Sequence, residues 1–247
     1  MERLTLPPGR IDVWLARPDD LDAAQERSCL ALLSEEERGR CDRFVASGAR
    51  LQYLAAHALL RLTLSRYADV LPEDWTFGAN AFGRPHVETT AGLGLHFNLS
   101  HTDGLVAVAV AADPLIGVDV ESMRRAKDLE GLARSVFSGH ELAAFSAGPD
   151  EAERRDLFFA LWTLKEAYIK ARGLGFSLDL DSFAFEVSGP SPSIRFSERC
   201  PDDPARWRFW RFRPTPDHFL AIAGSVRSNA PNLIWLDKRI LQIHTGS

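Results

Sequence analysis

A helix followed by two apolar strands occurs twice along this chain, and that repetition limits its folds more than any other feature. In the first half, residues 51–64 carry apolar side chains at helical spacing, with Leu54, Ala58 and Leu62 among them. Residues 95–99 and 105–110 follow as strands, the second continuous enough in apolar character to be buried on both faces. In the second half, residues 156–172 form the strongest helix. Leu157, Leu161, Leu164 and Tyr168 fall on one face, and Gly173 and Gly175 stop it. Residues 207–212 and 220–226 then read as strands. The expected fold is mixed α/β (α+β), with one half at 1–112, a second at 113–227, and a C-terminal extension at 228–247.

The remaining elements are shorter. Residues 11–15 alternate as a half-buried strand does, and so does 116–121 in part. Ser34-Glu35-Glu36-Glu37 is a capping-box pattern that starts a helix. Residues 77–87 are broken by Gly78, Gly83 and Pro85, which predicts mostly turn. Residues 129–137 and 140–145 are candidate helices, and 183–185 a candidate strand.

Composition narrows the function classes. A net charge of −5 gives no support to a nucleic-acid binder that works by bulk positive charge. Three cysteines, Cys29, Cys41 and Cys200, without a CxxC, offer neither a zinc ribbon nor a thioredoxin-like motif, and read as thiols of a reducing cytosol. No apolar run is long enough to span a bilayer, and residues 1–8 lack an apolar signal core, so a soluble, cytoplasmic chain without a membrane partner is expected. The chain carries no GxSxG, no Walker A loop and no Rossmann glycine triplet, and His140-Glu141 lacks the second histidine of HExxH.

Three segments carry chemistry. In Gly117-Val118-Asp119-Val120-Glu121 the two acids share one face of a strand. Two fixed carboxylates repel unless a cation neutralises them, and hard oxygen ligands suit Mg²⁺. A solvated acidic face would have the same pattern. In Trp162-Thr163-Leu164-Lys165-Glu166-Ala167-Tyr168-Ile169-Lys170, two lysines in a lysine-poor chain lie within a turn and a half, fit for phosphate. An exposed Glu166–Lys170 pair is the plainer reading. In Phe97-Asn98-Leu99-Ser100-His101-Thr102-Asp103-Gly104, polar donors gather at a turn that could hold an anion, or that satisfies itself.

The ordered set F-N-x-S-H, G-x-D-x-E and W-x-x-K-E-A-x-x-K resembles the 4'-phosphopantetheinyl transferases of the Sfp type, in the W/KEA subclass. Gly83-Arg84-Pro85 is similar to that family's G-K/R-P segment, and the resemblance spans residues 10–226. It implies two similar α/β halves related by a pseudo-twofold, with coenzyme A in the cleft between them. It also implies transfer of the phosphopantetheine arm to a serine of an acyl, peptidyl or aryl carrier protein by a monomer, with adenosine 3',5'-bisphosphate released. By that pattern Asp119, Glu121 and Glu166 are Mg²⁺ ligands, and Glu166, Lys170 and Asp119 are catalytic. Arg40, Arg50, Arg84, Pro85, Ser100, His101, Lys165 and Lys170 hold coenzyme A. In that alignment Gln52 stands where an arginine is common and Glu37 where a lysine can occur, Arg40 sits at a second basic position, and Arg50 substitutes from the preceding turn for the 3'-phosphate. Met123, Arg124 and Arg125, directly after the acidic motif, are candidates for docking an acidic carrier.

Overall fold

The computed structural model describes residues 3–88, 94–124 and 128–236. One succession of elements occurs twice. First come strand β1 (Ile11–Ala16), helices α1 (Ala23–Leu32), α2 (Glu35–Asp42) and α3 (Ser47–Leu64), strands β2 (Phe77–Ala79) and β3 (Pro85–Val87), then β4 (His96–Thr102) and β5 (Leu105–Ala111). The second succession is β6 (Ile116–Ser122), α4 (Leu129–Val136), α5 (Gly139–Ser146), α6 (Glu151–Arg172), β7 (Phe183–Glu186) and β8 (Ser193–Phe196), then β9 (Trp207–Thr215) and β10 (His218–Ser225). In each half the last strand pairs antiparallel with both the first and the penultimate, giving β1–β5–β4 and β6–β10–β9, and a small hairpin lies between helix and sheet. Residues 77–87, expected to be mostly turn, thus form the β2–β3 hairpin, with Gly83 at φ 83° in the bend.

The alternation in β5 sorts two cores. Val106, Val108 and Val110 pack under α3 with Leu59, Leu60 and Leu64. Ala107 and Ala109 face the other way and, with Ile11, Val13 and Leu15, meet Val118, Val120, Leu220 and Ile222 of the second sheet. Small side chains there let the sheets approach closely. α6 covers the far face of the second sheet with Phe159, Leu164 and Tyr168. The layers therefore run helix, sheet, sheet, helix.

Where β4 and β6 meet, the sheets are joined through side chains. Asn98 Oδ1, Ser100 Oγ and Thr102 Oγ1 accept the amides of Val118, Val120 and Ser122 at 2.8, 3.2 and 3.1 Å. Every second residue of β4 thus satisfies an edge donor of β6 that has no backbone acceptor on that side.

One more strand, β11 (Asn232–Trp235), runs parallel to β1 and completes the order β11–β1–β5–β4. The segment set apart as an extension therefore returns to the first half, and residues 237–247 lie outside the described ones. Buried Asp12 anchors the junction, accepting from Asn232 Nδ2 at 2.9 Å, Tyr67 OH at 2.7 Å and Arg10 Nε at 2.9 Å. All three cysteines are free and buried. Among the described residues no helix is long and apolar enough to cross a membrane.

Candidate active site

The alternation of β6 sends Ile116, Val118 and Val120 into the inter-sheet core and turns Gly117, Asp119 and Glu121 toward α6. Gly117 sets the spacing. A Cβ built there would fall 2.0 Å from the carbonyl oxygen of Ala167 and 2.6 Å from the amide nitrogen of Ala171, so only a bare glycine lets the helix lie flush on the strand. The helix has a sharp start and stop. Asp150 caps its N-terminus by accepting the Glu153 amide at 2.8 Å, and Gly173 ends it in the left-handed region at φ 64°.

This packing brings Lys170 Nζ to 2.7 Å from Asp119 Oδ1 and 2.9 Å from Ser100 Oγ, while Ser100 donates to Asp119 Oδ1 at 3.0 Å. Glu166, one turn earlier, lines a cleft of about 270 Å³ together with Lys170, Phe82, Arg84, Pro85 and Leu99. Burial, and after it the charge of Asp119, push the Glu166 carboxyl above its ordinary value. Burial also raises Asp119, against the opposing charge of Lys170. Asp119, Glu166 and Lys170, from the acidic and lysine-rich motifs, thus form one cluster, and the ion pair that Lys170 makes is with Asp119.

Asp119 Oδ2 is buried and has no hydrogen-bond partner. A buried carboxylate oxygen left so is costly unless a cation answers it. Among the described residues no three His, Cys, Asp or Glu side chains close into a metal cage, so Asp119, Glu121 and Glu166 are not a preformed three-ligand set. An open set of hard oxygen donors still fits Mg²⁺, which typically takes one or two carboxylates and completes its shell with phosphate oxygens and water. The fit rests on the orphaned oxygen and the all-carboxylate chemistry.

Several expected roles change. Lys165 is wholly buried and turned away from Glu166. Its ammonium lies 2.8 Å from Glu141 Oε2 and donates to the carbonyls of Leu180 and Phe183 at 2.7 and 2.6 Å. Helical spacing explains this: a residue one position before Glu166 points about 100° away from it. The Lys165 ammonium, expected at coenzyme A, is thus held by groups inside the protein. Ser100 and His101 lie on β4 rather than in a turn, which begins at Asp103-Gly104 with Gly104 at φ 79°. Alternation buries Ser100 and exposes His101, so the two cannot cup one anion. The Ser100 hydroxyl is already committed to Asp119, Lys170 and the Val120 amide.

Arg84 stays at the cleft, but its terminal nitrogens donate to the carbonyls of Ala171, Pro114 and Ile116 at 2.6, 3.1 and 2.9 Å. With Asn80 Nδ2 donating to the Gly173 carbonyl at 2.9 Å, it clasps the β2–β3 hairpin to the end of α6. Arg40 pairs with Glu36 at 2.8 Å on the exposed side of α2, and Arg50 with Glu26 at 3.7 Å. Glu37 is structural. Burial raises its carboxyl, but hydrogen bonds from His57 and the Ser34 amide and the charges of His57 and Arg61 outweigh that and hold it at about 2. Gln52 Nε2 donates to Asp103 Oδ1 at 3.1 Å. Of the docking candidates, Met123 packs partly into the core and Arg124 pairs with Asp217 at 2.5 Å, while Arg125 lies outside the described residues.

Sequence reasoning missed Asn98 and Thr102, and gave Trp162 no role. The signal for the first two was present, since Asn98, Ser100 and Thr102 are polar at every second position of a strand whose neighbour is wholly apolar.

Residues 115–223 match the 4'-phosphopantetheinyl transferase superfamily, and residues 18–113 match the N-terminal 4'-phosphopantetheinyl transferase family. The chain is 34% identical over 207 residues to the 4'-phosphopantetheinyl transferase HetI of Nostoc sp., covering 81% of this chain and 86% of that one. It is 32% identical to the 4'-phosphopantetheinyl transferase Sfp of Bacillus subtilis, covering 71% and 75%. The holo-[acyl-carrier-protein] synthase of Thermotoga maritima overlaps it with a TM-score of 0.37 at 20% identity, over 44% of this chain and 61% of that one.

Proposed function

The chain belongs to the 4'-phosphopantetheinyl transferase superfamily, and from that premise we propose how its cleft moves the phosphopantetheine arm of coenzyme A to a carrier-protein serine. The observation that carries the reading is the cluster of Asp119, Lys170 and Glu166 at one cleft, with a buried carboxylate oxygen of Asp119 lacking a partner.

Mg²⁺ would be held by Asp119, with Glu121 and Glu166 beside it, and when bound it would neutralise the oxygens of the coenzyme A diphosphate. The residues do the rest. Glu166 takes the proton of the carrier serine hydroxyl. In the metal-free protein burial holds its carboxyl above the ordinary value. The serine oxygen bonds to the phosphorus next to pantetheine as the bond from that phosphorus to the bridging oxygen breaks. That oxygen leaves with adenosine 3',5'-bisphosphate. Lys170, anchored by Asp119 and Ser100, offsets negative charge on the phosphates. Pro85 and the hydrocarbon stem of Arg84 form the wall against which the nucleotide lies. Arg40, Arg50 and His101 reach it only if their side chains reorient. We further propose that the enzyme acts as a monomer in the cytoplasm on acyl, peptidyl or aryl carrier domains, with Met123 and Arg124 near the docking site, and without nucleic-acid or membrane partners.

Intact mass of an apo carrier protein, incubated with the enzyme, coenzyme A and Mg²⁺, tests the reading. A phosphopantetheine mass increase that disappears with EDTA and with Glu166→Gln supports it. An undiminished increase in EDTA would remove the metal from the mechanism.

A further inference from the structure

Both oxygens of Glu121 are gripped, from different halves of the molecule. Trp162 Nε1 of α6 donates to Oε1 at 3.1 Å, and Thr102 Oγ1 of β4 donates to Oε2 at 3.4 Å. The second contact is long for a hydroxyl–carboxylate bond, so Trp162 has the firmer hold. Trp162 is itself fixed by stacking on Phe158, with centroids 6.1 Å apart and planes at 9°.

Thr102 does two things with one hydroxyl. It donates to Glu121 and accepts the amide of the next residue, Ser122, at 3.1 Å. Ser100, two residues earlier, repeats the arrangement, donating to Asp119 at 3.0 Å and accepting the amide of the next residue, Val120, at 3.2 Å. A hydroxyl has one proton and two lone pairs, so both functions are available together. The period of two on β4 therefore matches the period of two between the acids of β6. A purely structural seam would need only the acceptors, and Asn98 serves the Val118 amide with no acid opposite it. At the two positions where an acid is opposite, the side chain is a hydroxyl.

We propose that Thr102 and Trp162 are positioning residues that fix the orientation of the Glu121 carboxylate for a divalent cation. The inference rests on the metal reading of the cleft given above. Outer partners of metal-binding groups typically contribute about tenfold or more to metal affinity.

The test is a Mn²⁺ titration of the full-length protein with coenzyme A present, following loss of the free-ion electron paramagnetic resonance signal. Trp162→Phe, which keeps the stacking ring, and Thr102→Val are each expected to weaken Mn²⁺ binding by about tenfold. Thr102→Ser should restore wild-type affinity. In a Glu121→Gln background neither substitution should weaken binding further, because the group they orient is already disabled. Thermal melts report whether each variant is folded. Losses that multiply with Glu121→Gln, or unchanged affinity in both single variants, would overturn the positioning role and leave only the seam. No Mn²⁺ binding by the wild type would instead overturn the metal reading, and this inference with it.

Discussion

Lys170 Nζ sits 2.7 Å from Asp119 Oδ1, although 51 residues separate them in the chain. The pair spans α6 and β6, and Ser100 closes it from β4. Asp119→Asn should preserve the Ser100 contact and most of the stability while removing the charge. We expect the transfer rate to fall by about a hundredfold or more, in line with loss of a preorganised charged group. Initial rates of carrier mass increase, set beside thermal melts, check this. A rate within a few-fold of wild type would take Asp119 out of the chemistry.

The raised Glu166 carboxyl has opposite consequences for activity and stability. As a base it works only when ionised, so the rate should fall as pH drops through the pKa it has with the cation present. Stability runs the other way. The folded state binds this proton more tightly than the unfolded chain, so ionisation above the unfolded value of 4.5 costs stability. Glu166→Gln should therefore melt higher than wild type at pH 8 without metal, and the difference should vanish below pH 4. A variant that melts lower at pH 8 would contradict this assignment.

Gly117→Ala places a methyl against the backbone of α6 at Ala167 and Ala171. Overpacking of this kind typically costs about 1–3 kcal/mol, and backbone neighbours give less than side chains. A helix shifted by about 1 Å would carry Glu166 and Lys170 off their marks and cost about a hundredfold in rate. Urea unfolding and transfer kinetics together read both effects. Full activity in this variant would show that the strand and helix have slack.

Lys165 and Glu141 form a buried ion pair at 2.8 Å, and both side chains are fully shielded from solvent. Glu141 also accepts the Phe185 amide at 2.8 Å and caps α5 through the Ser138 amide at 2.9 Å. Lys165→Met should destabilise by about 3–5 kcal/mol, because it strands a buried carboxylate. Adding Glu141→Gln removes that charge while keeping an acceptor, and should recover part of the loss. Additive losses in a denaturant cycle would mean the two side chains do not act as a pair.

Much of the fold could be read from periodicity. The Ser34 capping box, the α3 and α6 stripes and the apolar run of β5 depend on local spacing and fall where expected. The facing of Asp119 and Glu121 on β6 and the one-turn spacing of Glu166 and Lys170 on α6 were also legible. The buried place of Lys165 was not legible because motif membership does not say which way a helical side chain points. The partners of Ser100 and Arg84 within the protein were not legible because tertiary packing contributes them. The acceptors for Arg84 lie 30 or more residues away, and no local pattern marks a carbonyl. β11 gave little signal because four residues after a proline are too few to show a period.

That last strand has a consequence for how the protein is made. The N-terminal sheet has three of its strands by residue 111, yet its outer strand is not supplied until residues 232–235 leave the ribosome. Until then β1 presents an open edge, and Asp12 lacks the side-chain amide of Asn232. The first half to be synthesised is therefore the last to be finished. A nascent chain halted between Leu180 and Asn232 has every residue that lines the cleft and still lacks the strand that closes its opening sheet.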